Sequence, residues 1–212
     1  MDSNKKYKNA RKEVAYFMRR LYKHGLTTTS GGNISLRVSD EIIVITPSAS
    51  DKGRMRWKEV GIINISGENL TDKLKPSIEF DMHLSIYKKN NDVRAIVHAH
   101  PLFSSSFTAM KCKIDTYLTA EAYAILGDPL FVPYAMMGSG DLAKLAAENA
   151  LHSDILLLEN HGILTTGSNL IQAFDKIEVL ENAAKMTLIA EITKKKSPLS
   201  KARILEIEKL FR

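Results

Sequence analysis

Residues 95–101, Ala-Ile-Val-His-Ala-His-Pro, constrain the fold more than any other stretch of this sequence. The β-branched residues favour a buried strand that ends near His98. Pro101 has no N–H for a sheet and suits the start of a helix. Side chains two apart on a strand point to the same side, so His98 and His100 share one direction. This pattern is typical of a divalent metal site, although a buried, hydrogen-bonded histidine is the common alternative.

His161 is the best candidate for a third metal ligand. It lies between the apolar run 155–158 and Gly162, again where a predicted strand ends. Catalytic zinc commonly keeps three protein ligands and one open position, so the sequence predicts a three-histidine site. His83 is one turn after Glu79 on a predicted helix, so its side chain could face the same site as Glu79. The weaker candidates are His24, His83 and His152.

The composition indicates one globular domain over residues 1–212, with 44% hydrophobic and 25% charged residues. No apolar run approaches the length of about 18 residues that a membrane span needs. Residues 1–6 lack the apolar stretch of a signal peptide, and a single cysteine, Cys112, excludes an internal disulfide. We therefore expect a cytoplasmic protein with no membrane partner.

The net charge of +6 fits an anionic small molecule better than a nucleic acid. The lysines are spread along predicted helices and tails, and residues 194–196 are the only run of three. We therefore expect no nucleic-acid partner, and a phosphorylated small molecule is the ligand class that suits this charge.

Helices and strands are predicted to alternate irregularly along the chain. Several strand pairs have connections of hairpin length, which favours antiparallel pairing. We expect an α/β fold, a three-layer α/β/α sandwich with a largely antiparallel central sheet. The predicted helices cover 7–24, 78–89, 101–110, 120–126, 139–151, 169–194 and 200–211, and the predicted strands cover 34–38, 42–45, 60–65, 95–98, 130–132, 155–158 and 163–165.

Five short motifs follow one another along the chain. They are Gly-Gly-Asn-Ile-Ser at 31–35, Thr-Pro-Ser at 46–48, Lys-Pro-Ser-Ile-Glu at 75–79, Val-His-Ala-His at 97–100 and Leu-Glu-Asn-His-Gly at 158–162. In this order and spacing they resemble the class II aldolase/adducin family, in its L-fuculose-1-phosphate aldolase-like branch. The resemblance covers nearly the whole chain. Each motif is weak alone, but the combination is specific for the family and not for a substrate.

The resemblance implies that His98, His100 and His161 bind Zn²⁺, with Glu79 beside the metal. Mn²⁺ or Co²⁺ would also suit imidazole and carboxylate ligands. In relatives this glutamate is a metal ligand at rest and the general base when substrate arrives. Retro-aldol cleavage needs a Lewis acid for the enediolate and a carboxylate that moves a proton. The alternative for Glu79 is an acid that merely favours the helix dipole.

The resemblance also implies a site for the phosphate of the substrate. Its positions here are Asn33, Ser48, Ala49 and Ser77, where short polar side chains and free amides suit an anion. The alternatives are a turn residue for Asn33 and an N-cap for Ser77. Family members are commonly homotetramers with active sites between subunits, so we expect the same here.

The chain departs from the family at several substrate-side positions. Ile78 stands in place of a serine that helps bind phosphate, and Ala49 stands where glycine is common. Thr119 occupies the place of a tyrosine that a neighbouring subunit offers, and the chain ends before a tail tyrosine of the fuculose-phosphate enzyme. Tyr117 and Glu121 are accessory candidates for the missing acid.

These features predict a metal-dependent aldolase that reversibly cleaves a ketose 1-phosphate. The products would be dihydroxyacetone phosphate and a short aldehyde such as lactaldehyde. One alternative is a methylthioribulose-1-phosphate dehydratase, which Glu121 would serve as an acid. Another is a pentulose-5-phosphate 4-epimerase, which usually has aspartate where Glu79 stands. A non-enzymatic adducin-like module fits poorly, because such modules lose the histidine triad.

Overall fold

The computed structural model describes residues 6–71 and 74–211. The prediction that residues 1–6 are not a signal peptide concerns mainly residues 1–5, which lie outside the described residues. The strands are β1 (Asn33–Arg37), β2 (Ile42–Ile45), β3 (Gly61–Asn64), β4 (Ala95–Ala99), β5 (Leu130–Val132), β6 (Ile155–Leu158) and β7 (Gly162–Gly167). The helices are α1 (Lys8–Lys23), α2 (Phe80–Lys89), α3 (Leu102–Met110), α4 (Ala120–Leu126), α5 (Gly140–Asn149), α6 (Leu170–Thr193) and α7 (Lys201–Phe211), with short 3₁₀ turns at Lys52–Arg54, Trp57–Glu59 and Thr116–Leu118.

The strands form one seven-stranded sheet in the order β3-β2-β1-β4-β7-β6-β5. Five strand pairs are antiparallel: β2–β3, β1–β2, β1–β4, β4–β7 and β6–β7. The β1–β2 pair is a hairpin. The pair β5–β6 is parallel. A parallel pair needs a crossover, and α5 supplies it between these two strands. The prediction of a largely antiparallel sheet is confirmed, with this one parallel pair making the sheet mixed.

Helices cover both faces of the sheet. On one face α1, α3, α4 and α6 pack against the strands, and Phe17 and Phe174 lie in this core. On the other face α2 and α5 pack through residues such as Met82 and Leu142. The three-layer α/β/α architecture is therefore confirmed. None of the helices in the described part of the chain is both long and apolar enough to cross a bilayer.

The predicted helix at 78–89 begins two residues late, at Phe80. The amide of Phe80 donates to the Ser77 carbonyl at 3.1 Å, so the chain makes a turn before the helix starts. Glu79 is consequently the N-cap residue and not part of the first helical turn. Because Glu79 precedes the helix, its side chain does not lie on the helix surface.

Strand register brings the motif residues to one edge of the sheet. Asn33 lies opposite His98 in the β1–β4 pair, and His98 lies opposite Leu164 in the β4–β7 pair. Partners across a strand pair share a face, so Asn33 and His98 point toward the layer that contains α2 and α5. Ile96, two residues before His98, packs in that layer's core. The residues at the start of α2 therefore meet these two side chains.

Candidate active site

Strand β4 presents the first two histidines of the site. His98 is fully buried, and its Nδ1 donates to the Ile163 carbonyl at 2.9 Å. This hydrogen bond places the proton on Nδ1 and leaves the Nε2 lone pair free to bind a cation. The Nε2 atom of His100, one residue beyond the strand, lies 3.1 Å from Nε2 of His98.

His161 reaches the same place from the turn between β6 and β7. Asn160, in the left-handed region at φ 53°, turns the chain just before it. The imidazole centroid of His161 lies 4.8 Å from that of His98 and 5.4 Å from that of His100. One ligand nitrogen from each of the three residues lies within 4.8 Å of the other two. The structure therefore brings together the three histidines that the sequence singled out.

The Glu79 carboxylate completes this cluster. Its Oε2 lies 3.3 Å from Nε2 of His98, and its Oε1 lies 3.1 Å from Nε2 of His161. Burial by itself raises the pKa of Glu79, but the two imidazoles outweigh it and hold the pKa far below its usual range. Glu79 is therefore an anion that contacts the imidazoles of His98 and His161.

The donor set fits a divalent cation. Four ligands of a tetrahedral ion, each about 2.0–2.1 Å from it, lie about 3.3–3.4 Å apart. Three of these separations, between His98 and His100, between His98 and Glu79, and between His161 and Glu79, are 3.1–3.3 Å and approach that value. Buried polar atoms without a hydrogen-bond partner are expensive, and Oε1 of Glu79 and Nδ1 of His161 are two such atoms here. A cation at the centre would satisfy the first of them.

Glycines allow the backbone to approach His100 closely. A Cβ atom on Gly162 would lie 2.5 Å from Cδ2 of His100 and 2.7 Å from the Ala99 carbonyl. A Cβ atom on Gly31 would lie 2.9 Å from Nδ1 of the same imidazole. Both motif glycines are therefore required by packing around a histidine of the cluster.

A buried hydrogen-bonded chain supports Glu79 from behind. Nδ2 of Asn33 donates to Oε2 of Glu79 at 2.8 Å, and Nε2 of His83 donates to Oδ1 of Asn33 at 2.5 Å. The Ser35 hydroxyl donates to Nδ1 of His83 at 2.7 Å. Burial, followed by the charge of His98, lowers the pKa of His83 to about 3. His83 is therefore neutral and fixes the Asn33 amide, rather than facing the cleft as the sequence suggested.

The predicted phosphate residues line a cavity of about 450 Å³ beside the cluster. Its walls include Asn33, Ser48, Ala49, Ser77, Glu79, His100 and His161. The two loops that carry the serines are joined, because the Ser77 amide donates to the Thr46 carbonyl at 3.3 Å. Ala49 has a left-handed φ of 46°, a conformation that favours glycine. One cavity thus combines the metal-ligand cluster with the predicted anion residues.

The two accessory candidates lie elsewhere in the chain. Tyr117 packs against Tyr123 with ring centroids 5.0 Å apart, and its hydroxyl donates to Asp128. Glu121 is exposed on α4. Neither residue lines the cavity. Within one chain, the predicted substitutes for the missing tyrosine are therefore not part of this site.

The sequence reasoning missed Lys52, whose side chain is buried and lines the cavity. In the sequence, Asp-Lys-Gly reads as an exposed turn, and no periodic pattern distinguishes this lysine from the others. The support of Asn33 by His83 and Ser35 was also missed. Ser35 lies two residues after Asn33 on β1 and is therefore on the same face, which is a signal that alternation along the strand could have supplied.

The chain is similar to known proteins over most of its length. The model of the class II aldolase and adducin N-terminal domain matches residues 12–188. The chain belongs to the class II aldolase and adducin family. Class II aldolases are metal-dependent lyases, and the histidine cluster of this chain is consistent with that chemistry.

Individual members of the family resemble the chain over most of its length. The L-fuculose phosphate aldolase of Methanocaldococcus jannaschii is 36% identical over 186 residues, which cover 87% of this chain and 99% of that protein. The 3-oxo-tetronate 4-phosphate decarboxylase of Haemophilus influenzae is 35% identical over 175 residues, 79% of this chain and 81% of that protein. A solved structure of L-fuculose 1-phosphate aldolase superimposes with a TM-score of 0.87 at 27% identity and covers 96% of both chains. These likenesses identify the chain as a lyase of the aldolase branch.

Proposed function

We propose that the protein is a class II aldolase that reversibly cleaves a ketose 1-phosphate similar to L-fuculose 1-phosphate. The products would be dihydroxyacetone phosphate and a short aldehyde such as lactaldehyde. The observation that carries this proposal is the shared cavity, whose wall combines Glu79, His100 and His161 with Ser48 and Ser77. The likeness to the L-fuculose phosphate aldolase of Methanocaldococcus jannaschii supports the substrate class.

The proposed metal ligands are His98, His100, His161 and Glu79. Zn²⁺ suits three imidazoles and a carboxylate at tetrahedral spacing, and Mn²⁺ or Co²⁺ are the alternatives. When bound, the ion would act as a Lewis acid toward the carbonyl oxygen of the substrate. Metal content measured by mass spectrometry of the purified protein tests which ion it holds.

Glu79 is the proposed general base. Its Oε2 accepts the hydrogen bond from Asn33, whereas Oε1 lies 3.1 Å from Nε2 of His161. Once the carboxylate has moved away from the ion, Oε1 would take a proton from the carbon next to the carbonyl in the condensation direction. In the cleavage direction it would return that proton to the same carbon.

The phosphate end of the substrate is proposed to bind to Asn33, Ser48, Ala49 and Ser77. The hydroxyls of Ser48 and Ser77 can donate hydrogen bonds at the cavity wall. Ile78 and Met137 also line this cavity although 60% and 58% of their surfaces are exposed. Such exposed apolar residues would be covered in an assembly, which supports the proposed homotetramer. Light scattering during gel filtration tests it.

A second candidate is decarboxylation of a 3-oxo-tetronate 4-phosphate. The likeness to the Haemophilus influenzae decarboxylase favours it. Loss of CO₂ from a 3-oxo acid and retro-aldol cleavage both leave an enediolate beside a phosphate ester, so one site can serve either reaction. Within one chain Glu121 does not line the cavity, so the dehydratase alternative would need Glu121 of a neighbouring subunit at this site.

The test is turnover of a substrate panel by the metal-loaded protein. The panel contains several ketose 1-phosphates, assayed by release of dihydroxyacetone phosphate, and 3-oxo-tetronate 4-phosphate, assayed by release of CO₂. We expect one or more ketose 1-phosphates to be cleaved, with a loss of at least about 100-fold in Glu79→Gln. Glu41→Gln is the matched control, because Glu41 is exposed on the turn before β2. CO₂ release from 3-oxo-tetronate 4-phosphate, with no cleavage of any ketose 1-phosphate, would replace the aldolase proposal with the decarboxylase.

A further inference from the structure

Lys52 is a buried lysine in the wall of the candidate active site. It begins the 3₁₀ turn Lys52–Arg54 and is only 1% exposed. It lines the same cavity as Ser48, Ser77 and Asn33. Lysine is among the residues that folded proteins bury least often, so its place here requires a reason.

The contacts of the ammonium group use only part of its hydrogen-bonding capacity. Nζ donates to the Pro47 carbonyl at 2.8 Å and to the Ser50 hydroxyl at 3.2 Å. An ammonium has three donors. Within residues 6–71 and 74–211, no further acceptor satisfies the third N–H. These contacts hold the ammonium against the loop that carries Ser48 and Ala49.

No anion of the described residues compensates the charge of Lys52. None of their carboxylates lies within 4 Å of Nζ, although other lysines of the protein make such pairs. The adjacent Asp51 accepts a hydrogen bond from the Gly53 amide at 3.0 Å and lies 3.9 Å from Arg54 instead. Burial lowers the pKa of Lys52 to about 8. A buried cation without a counter-ion is costly, and an anion bound in the cavity would offset this cost.

We propose that Lys52 is the counter-cation of the phosphate subsite and binds the phosphate dianion of the substrate through its third ammonium proton. The inference rests on the proposed function, since it takes the substrate to be a phosphate monoester. It also supplies a positive charge to a cavity whose other charged side chain is the Glu79 anion. Ser48, Ser77 and Asn33 provide neutral donors, and Lys52 provides the charge that distinguishes a phosphate from a hydroxyl.

Phosphate binding without turnover tests the inference. Inorganic phosphate is titrated into the metal-loaded protein by calorimetry, for the wild type, Lys52→Met and Lys88→Met. Lys88 is exposed on α2 and is the matched control. We expect Lys52→Met to weaken phosphate binding at least about 10-fold and Lys88→Met to leave it unchanged. A folded Lys52→Met protein that binds phosphate as the wild type does would overturn the inference.

A second measurement uses the wild-type protein and does not depend on how a variant folds. The lysine Cε resonances are followed by ¹³C NMR against pH, with and without saturating phosphate, and Lys52→Gln assigns the signal. A bound dianion favours the charged ammonium, so phosphate should raise the pKa of Lys52 by about 1 or more. A role confined to holding Pro47 and Ser50 predicts no change, and that result would reject the inference.

The two proposals fail in different ways. If no ketose 1-phosphate is cleaved but phosphate binding still depends on Lys52, the aldolase proposal fails and the subsite stands. If ketose 1-phosphates are cleaved and Lys52→Met keeps the wild-type KM, the aldolase proposal stands and the role of Lys52 is wrong.

Discussion

The two sides of the candidate site are built from different kinds of structure. His98 lies in β4, where the sheet register sets its position, His100 lies one residue beyond that strand, and His161 lies in the turn between β6 and β7. The phosphate side consists of loops around Ser48 and Ser77 that contact each other through backbone hydrogen bonds. The proposed metal side therefore depends mainly on the sheet, whereas the proposed phosphate side depends on local backbone conformation and on the buried charge of Lys52. A substitution on one side should leave binding at the other side unchanged.

The largest effect is expected on the metal side, from His100→Ala. Losing one imidazole removes a ligand that no neighbour replaces, so metal affinity should fall by more than the 10–100-fold typical of outer-shell changes. Metal affinity is measured by competition with a chromophoric chelator. His152→Ala, in an exposed turn, is the matched control. Unchanged metal affinity in His100→Ala would show that the ion binds elsewhere.

His83, which contacts Asn33 and through it Glu79, should make the stability of the protein depend on pH. The folded pKa of His83 is about 3, below its ordinary value of 6.5, so the unfolded chain binds a proton that the fold excludes. Stability should therefore fall as pH decreases below about 6.5, by roughly 2 kcal/mol from this residue at pH 5. Urea unfolding of the metal-free protein at pH 7 and pH 5 measures it.

His83→Gln is the comparison for that measurement. Glutamine keeps a donor for Asn33 but cannot titrate, so this variant should lose correspondingly less stability between the two pH values. Equal losses in the wild type and in His83→Gln would contradict a neutral, buried His83.

On the phosphate side, Ser77→Ala should raise the KM for a phosphorylated substrate about 10-fold, because a hydrogen bond to a charged group is lost. Metal affinity should not change, which separates the two sides. Steady-state kinetics and the chelator competition measure these quantities. Ser85→Ala on α2 serves as the control. A loss of metal from Ser77→Ala would break the distinction between the two sides.

The smallest effect is expected from Ala49→Gly. Ala49 has a φ of 46°, where glycine is less strained than alanine, so the free energy of unfolding should increase by up to about 1 kcal/mol. Ala10→Gly, inside α1, should instead decrease it by about 1 kcal/mol. Urea unfolding compares both variants. A destabilised Ala49→Gly would mean that the loop does not need the left-handed conformation.

Regular periodicity explains what the sequence predicted well. The alternation along β4 predicted that His98 and His100 share a direction, and the layers follow from apolar faces such as that of α1. The parallel β5–β6 pair was not predicted, because strand direction depends on the crossover through α5 and not on either strand's own residues.

Local hydrogen bonds and burial explain what the sequence did not reveal. The start of α2 was misplaced because the turn at Ser77 competes with the helix for the Phe80 amide. Lys52 looks like any surface lysine until the loop from Pro47 closes over it. The positions of Glu121 and Tyr117 outside the cavity could not be inferred either, since they depend on where α4 and the 3₁₀ turn before it lie in the folded chain.

We propose that metal and phosphate bind in one cavity. A crystal structure of the protein with Zn²⁺ and dihydroxyacetone phosphate, with anomalous data at the zinc edge, tests this proposal directly. We expect a zinc peak among His98, His100 and His161 and the phosphate among Ser48, Ser77 and Lys52. A zinc ion away from the three histidines, or a phosphate outside this cavity, would contradict it.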